Sequence, residues 1–144
     1  MQRYIYAMLK AQKAIYAEVE AASKQIDQHL IRLMLYPDSE YVNNWKQEIC
    51  SFLNSVDLLK GKNKWPSKRL LMNALTTHND ILDTYTWQVI DWEDELTPSN
   101  VPPSTIRRGV EFYQDWLAEC LSENGAISKK LAYRVLDDIV NFNF

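Results

Sequence analysis

The chain has 144 residues, enough for one domain with a sizeable core. It is 47% hydrophobic and 24% charged, with a net charge of −3 and a pI near 5.4. That is ordinary globular usage, and its acidic balance weighs against a dedicated nucleic-acid binder, which gains affinity by neutralising phosphates. No apolar run approaches the roughly 20 residues of a membrane span. The stretch from Met1 to Lys13 lacks the apolar centre of a signal peptide. Two distant cysteines, Cys50 and Cys120, point to neither a disulfide framework nor a zinc site. The expectation is a cytoplasmic protein with no cofactor and no metal.

Three glycines and little strict alternation favour helices over strands. The first helix is expected over residues 2–35. Ile5, Met8, Gln12, Ile15, Val19, Ala22, Ile26, His29 and Leu33 alternate by three and four, which makes a seam interrupted at Gln12 and His29. Pro37 stops this helix. Asp38 or Ser39 caps the next, where Val42, Trp45, Ile49, Phe52, Val56 and Leu59 repeat the spacing. Two such seams joined by a short turn should pack antiparallel, with Leu33 facing Val42, Ile26 facing Ile49 and Val19 facing Val56.

Gly61 ends the second helix, and Pro66 suits the first turn of a short third one through Leu75. A further helix is expected from about 80 to 96. At about 100° per residue, Ile81, Leu82, Tyr85, Val89, Trp92 and Leu96 share a core arc. Asp80, Asp83, Trp87, Ile90, Asp91 and Asp94 share the opposite one. A linker with three prolines follows over residues 97–103. Ser104 or Thr105 caps the next helix, to about Glu123. Its broad apolar arc (Ile106, Val110, Tyr113, Leu117 and Leu121 among others) implies cover on several sides. Asn124-Gly125 ends it, and Ser128 caps a last helix carrying Leu131, Val135, Leu136, Ile139 and Phe142. The fold class is therefore all-α: a bundle of five or six helices, built on a long antiparallel hairpin, in a single domain over 1–144.

Two surfaces could carry function. The first is the acidic face with Trp87. Asp80 and Asp83 suit a helix N-terminus, but Asp91 and Asp94 stand near a C-terminus, where helix stability does not ask for negative charge. With Trp87 and Ile90 as apolar anchors, this face would dock a protein with a basic surface. The second is the basic stretch Lys60, Lys62, Lys64, Lys68 and Arg69, which with Trp65 could hold a phosphate backbone. The last two helices, with Lys129, Lys130 and Arg134, offer a weaker helix-turn-helix version of the same idea. No nucleophile–base pair, metal-ligand spacing or phosphate-binding loop occurs, so no catalytic residue is assigned and an enzyme is not expected.

His29-Leu30-Ile31-Arg32-Leu33, Tyr36-Pro37, Trp45, Glu48-Ile49, Phe52 and Pro66-Ser67 resemble the pattern of a bacterial family, the domain-of-unknown-function family twenty-nine. The likeness covers residues 29–67. It departs at Arg32, where the family has lysine, and at Lys68, where leucine would follow Pro-Ser. The resemblance implies a helical fold and no assigned activity. The expected function is a non-catalytic protein-binding module of inhibitor, immunity or adaptor type. The alternative is a nucleic-acid-associated regulator using the basic stretch or the last helix pair. Self-association is compatible with either; nucleic acid is the less favoured partner, and no membrane contact is expected.

Overall fold

The computed structural model describes residues 2–60 and 65–144, with side chains at Lys10 and from Gln12 onward. The expected helix stop at Gly61 lies outside the described residues, with Lys62 and Lys64, as do the side chains of Ile5 and Met8. Among the described residues the chain is all helical. Its helices are α1 (Gln2–Leu35), α2 (Val42–Asp57), α3 (Lys68–Leu75), α4 (Leu82–Trp92), α5 (Pro103–Ser122) and α6 (Lys129–Val140). A 3-10 turn, Asn79–Ile81, leads into α4.

α1 is the axis of the molecule. It touches every other α-helix, and its contact with α2 is the most extensive in the fold. The seam predicts one buried stripe along α1. Its C-terminal part departs from that: from Ile26 to Tyr36, only His29 and Arg32 are less than fully buried. A helix met from several sides cannot confine burial to one arc. Ser23, Asp27 and Gln28 are therefore enclosed with their apolar neighbours. A single apolar cluster draws on all six helices, with Leu30, Ile49, Leu71, Val89, Val110 and Leu136 among its buried members.

Helix ends are closed largely by tertiary contacts. The last carbonyls of α1 are orphaned by the turn at Pro37. The Ser99 amide donates to the Leu35 carbonyl at 2.7 Å. The Ser99 hydroxyl lies 3.0 Å and 2.8 Å from the Met34 and Leu35 carbonyls. The proline-rich linker is thereby fastened to the end of α1. At the end of α5, Lys60 Nζ donates to the Cys120 carbonyl and Trp65 Nε1 to the Leu121 carbonyl. α6 closes on itself. Asn143 donates to the Asp138 carbonyl and Phe142 to the Ile139 carbonyl, with Phe142 at φ 54° in the left-handed region.

Several expected starts differ. Neither Asp38 nor Ser39 caps α2, which begins at Val42 with no side-chain cap. The Ser39 hydroxyl instead holds the Tyr41 amide inside the turn. α5 begins at Pro103, so Ser104 and Thr105 already lie in its first turn; a leading proline leaves one amide fewer to satisfy. Pro66 precedes the cap of α3, which is Ser67 accepting from the Leu70 amide. Ser128 caps α6 as expected. Of the apolar residues read onto this helix, Leu131 and Phe142 are 41% and 37% exposed. Leu131 stands in the first turn of α6 and Phe142 just past its end.

Gly109 marks a close crossing. A Cβ there would stand 2.5 Å from Met34 Sδ and 3.1 Å from Phe144 Cζ. Met34 is fully buried, so it has little room to yield. Gly109→Val is expected to destabilise the fold by about 2 kcal/mol through overpacking. Denaturant unfolding of the two proteins checks this, and an unchanged midpoint would show that Met34 yields freely.

Candidate functional site

α4 is short, and both its ends differ from expectation. It starts at Leu82, after the 3-10 turn, and stops at Trp92. An arc drawn at a constant angle per residue therefore fails at its two ends. Leu82, Tyr85 and Val89 are buried as expected, but Ile81 is 38% and Trp92 52% exposed. Leu96 is half-buried in the turn that follows. On the opposite side, only Asp83, Trp87, Ile90 and Asp91 belong to α4. Asp80 sits in the 3-10 turn, and Asp94 lies beyond the helix end.

Trp87 is 68% exposed, the most exposed aromatic among the described residues. Ile90 beside it is half-buried. Together with Asp83 they line a groove of about 340 Å³, whose far wall is the linker, at Pro98, Val101 and Pro103. The linker can form that wall because Ser99 holds it to α1. Asp80, Asp83, Asp91 and Asp94 are all exposed, as is Glu95. None of these five carboxylates has an ion-pair partner among the described residues. Glu93 differs: it receives Arg32 Nε at 3.0 Å. From Leu70 to Ile106 the sequence holds these six acids and no lysine or arginine.

The basic stretch is divided. Lys60 is not a free surface charge, since its ammonium also reaches the Gly125 carbonyl at 3.0 Å and Asp57 at 3.6 Å. Lys68 pairs with Glu119. Arg69 is exposed. Trp65 is half-buried, with its indole N–H committed to α5. The side chains of Lys129, Lys130 and Arg134 on α6 are exposed.

A second concavity lies on the other side of α4. It has a volume of about 640 Å³ and lies between α1, α2 and α4. His29, Arg32, Trp45, Glu48, Trp92 and Glu93 are among the residues lining it. His29 Nδ1 donates to the Gln25 carbonyl at 2.7 Å, which leaves Nε2 as an acceptor. Burial lowers the His29 pKa, against the raising effect of that bond; Arg32 lowers it further, while Glu48 and Glu93 raise it. The imidazole is thus neutral near pH 7. The Arg32 guanidinium stands 5.4 Å from the Trp92 ring centroid, a cation–π contact. Of these residues, His29 was legible as an interruption of the seam. Nothing in the local sequence pairs Arg32 with Glu93. A signal for the burial around them was present: five of the six residues from Leu30 to Leu35 are apolar, which marks a helix enclosed all round.

The same enclosure hides Asp27, which is 1% exposed. Neither of its oxygens has a hydrogen-bond partner among the described residues. Gln114, its polar neighbour on α5, is committed elsewhere. Gln114 donates to the Leu75 carbonyl at 2.9 Å and to Asn79 Oδ1 at 2.7 Å, and accepts from Asn79 Nδ2 at 3.0 Å. Burial pushes the Asp27 carboxyl well above the usual carboxylate range, and Gln114 offsets only part of this. The folded chain therefore keeps a proton that the unfolded chain releases near pH 4. Stability falls as pH rises through that window, by about 1.4 kcal/mol per pH unit. Asp27→Asn, a neutral isostere, should remove this slope. Its thermal midpoint is expected to match the parent at about pH 4 and to exceed it increasingly as pH rises above that. A constant difference across that range would place the cost elsewhere.

No helix among the described residues is long and apolar enough to cross a membrane. Among the described residues, no group of three or more His, Cys, Asp or Glu side chains is placed to hold a metal ion. No protein-family model, no curated protein and no solved structure matches the chain.

Proposed function

We propose that this chain is a non-catalytic protein-binding module, of inhibitor, immunity or adaptor type, that presents the α4 surface to a partner with a basic face. In this reading residues 1–144 form one domain, and α1 and α2 are its scaffold, a long antiparallel hairpin. Two ring contacts support the hairpin. His29 lies 5.7 Å from Phe52, and Tyr36 lies 6.1 Å from Trp45. The later residue of α1 meets the earlier one of α2, as antiparallel helices require. Both cysteines are unpaired, which suits a reducing compartment such as the cytoplasm.

The observation that carries the proposal is the exposure of Trp87 between Asp83 and Asp91, one helical turn away on either side and without an ion-pair partner among the described residues. An indole left in water contributes nothing to the core. Buried in a complex, a Trp is among the side chains most often found to dominate binding. Asp91 sits at the end of α4 and Asp94 just past it, where the negative pole of the helix disfavours them. A cationic partner would offset that cost, speed association and make it salt-dependent.

The test uses the full chain and the variant carrying Trp87→Ala with Asp91→Lys. Because both positions are exposed, stability should change by less than about 0.5 kcal/mol. Protein retained from lysate of the source by the immobilised parent, and released by salt, should be lost from the variant. Unfolding of the variant would show that Trp87 serves the core. Equal retention by both proteins would move the partner surface away from α4. Retention of nucleic acid instead of protein would favour the basic residues Lys68, Arg69 and Lys129.

A further inference from the structure

The cleft between α1, α2 and α4 has features that packing does not explain. Gln28 is only 4% exposed, lines this cleft, and has no hydrogen-bond partner among the described residues. Its amide atoms are not sealed in the core, so they open into the cleft, free to meet an occupant or water. Arg32 has a similar surplus. Its side chain is only 13% exposed, and its Nε is held by Glu93. Its two terminal nitrogens have no protein partner among the described residues. They form a planar fork of the kind that takes a carboxylate. Lys24 adds a second cation on the same wall.

A second concavity, of about 430 Å³, adjoins the first and shares Trp45, Trp92 and Glu93 with it. Its chemistry differs: the first compartment sets Lys24 and Arg32 beside Glu48 and Glu93, whereas the charged groups of the second are all acids. Glu40, Asp94 and Glu95 line it with Tyr41, and no lysine or arginine does. Tyr41 and Trp45 lie 6.2 Å apart, tilted by 41°, with Trp92 in the shared wall. Aromatic faces with carboxylates around them select an organic cation. One compartment thus offers donors for a carboxylate, and its neighbour offers acceptors and π faces for an ammonium.

We propose that the two compartments form one binding site for a small zwitterion, an amino-carboxylate whose acid group meets Arg32, Lys24 and Gln28 and whose ammonium lies against Tyr41, Trp45 and Trp92 among Glu40, Asp94 and Glu95. The shared Trp45–Trp92 wall covers the aliphatic chain between the two charged ends. This site lies on the opposite side of α4 from Trp87 and shares only Asp94 with the protein-binding surface, so the Trp87 and Asp91 substitutions leave it intact.

Three probes of equal chain length separate the ends: 5-aminopentanoate, pentanoate and pentylamine. Calorimetry on the full chain should show saturable binding of 5-aminopentanoate at about millimolar concentration or below, and at least about tenfold weaker binding of each single-ended probe. Trp emission should shift along the same titration, because Trp92 is in the wall. Tyr41→Ala should weaken 5-aminopentanoate and pentylamine while leaving pentanoate unchanged. Lys24→Met should weaken 5-aminopentanoate and pentanoate while leaving pentylamine unchanged. Tyr41 and Lys24 are both exposed, so these variants test the site without the folding risk carried by a change at Arg32. The proposal is overturned if 5-aminopentanoate fails to saturate by about 10 mM, if the three probes bind equally, or if neither variant discriminates between the ends.

Discussion

The fold depends on the enclosure of α1. A helix that packs against five others cannot keep a solvent face along its whole length. From Ser23 onward its enclosed polar side chains must find partners inside, lose their charge, or open onto a cleft. Each solution is present. Ser23 turns its hydroxyl to the Glu20 carbonyl at 2.7 Å. Burial raises the Asp27 pKa and so favours its neutral form. Gln28, His29 and Arg32 open onto the cleft that α2 and α4 complete. The candidate ligand site is in this sense a by-product of where α1 runs out of neighbours.

α4 divides the surface. Its buried side is only Leu82, Tyr85 and Val89, one residue per turn. A helix of this length can therefore present apolar groups outward on two other sides. Trp87 and Ile90 face the linker groove, and Trp92 faces the cleft. The acids are distributed between them: Asp83 lines the groove, while Asp94 and Glu95 line the aromatic compartment. Only Glu93 is neutralised, by the cation that α1 supplies. The linker takes part as well, since Ser99 fixes it against α1 and so builds the second wall of the groove.

The basic residues show how context changes a charge. Lys60 reads in sequence as one of five solvated cations. In the fold its ammonium closes the end of α5, holding the Cys120 and Gly125 carbonyls. It acts there as a cap, in the position where a cation offsets the helix dipole. Asp57 supports it from α2 and also receives the Ile127 amide. The loop after α5 is thus bound to the end of α2 by a small polar clasp.

By itself, the sequence determined the helical class, the start and end of α1, the cap of α6, and the apolar residues of α2. These follow from local rules: three-four periodicity, a proline stop, and a serine before a helix. The outward position of Trp87 was legible too, because it lies well inside α4, where the angular rule holds. Only the tertiary structure decided what lies near helix ends and around α1. Ile81 and Trp92 left the expected core because α4 begins late and stops early. Asp27 and Gln28 entered the core because several helices surround one. Arg32 and Glu93, 61 residues apart, became a pair only when α4 was laid against α1. Periodicity along one helix carries no information on how many neighbours that helix will have, and that number decides which of its polar residues stay in water.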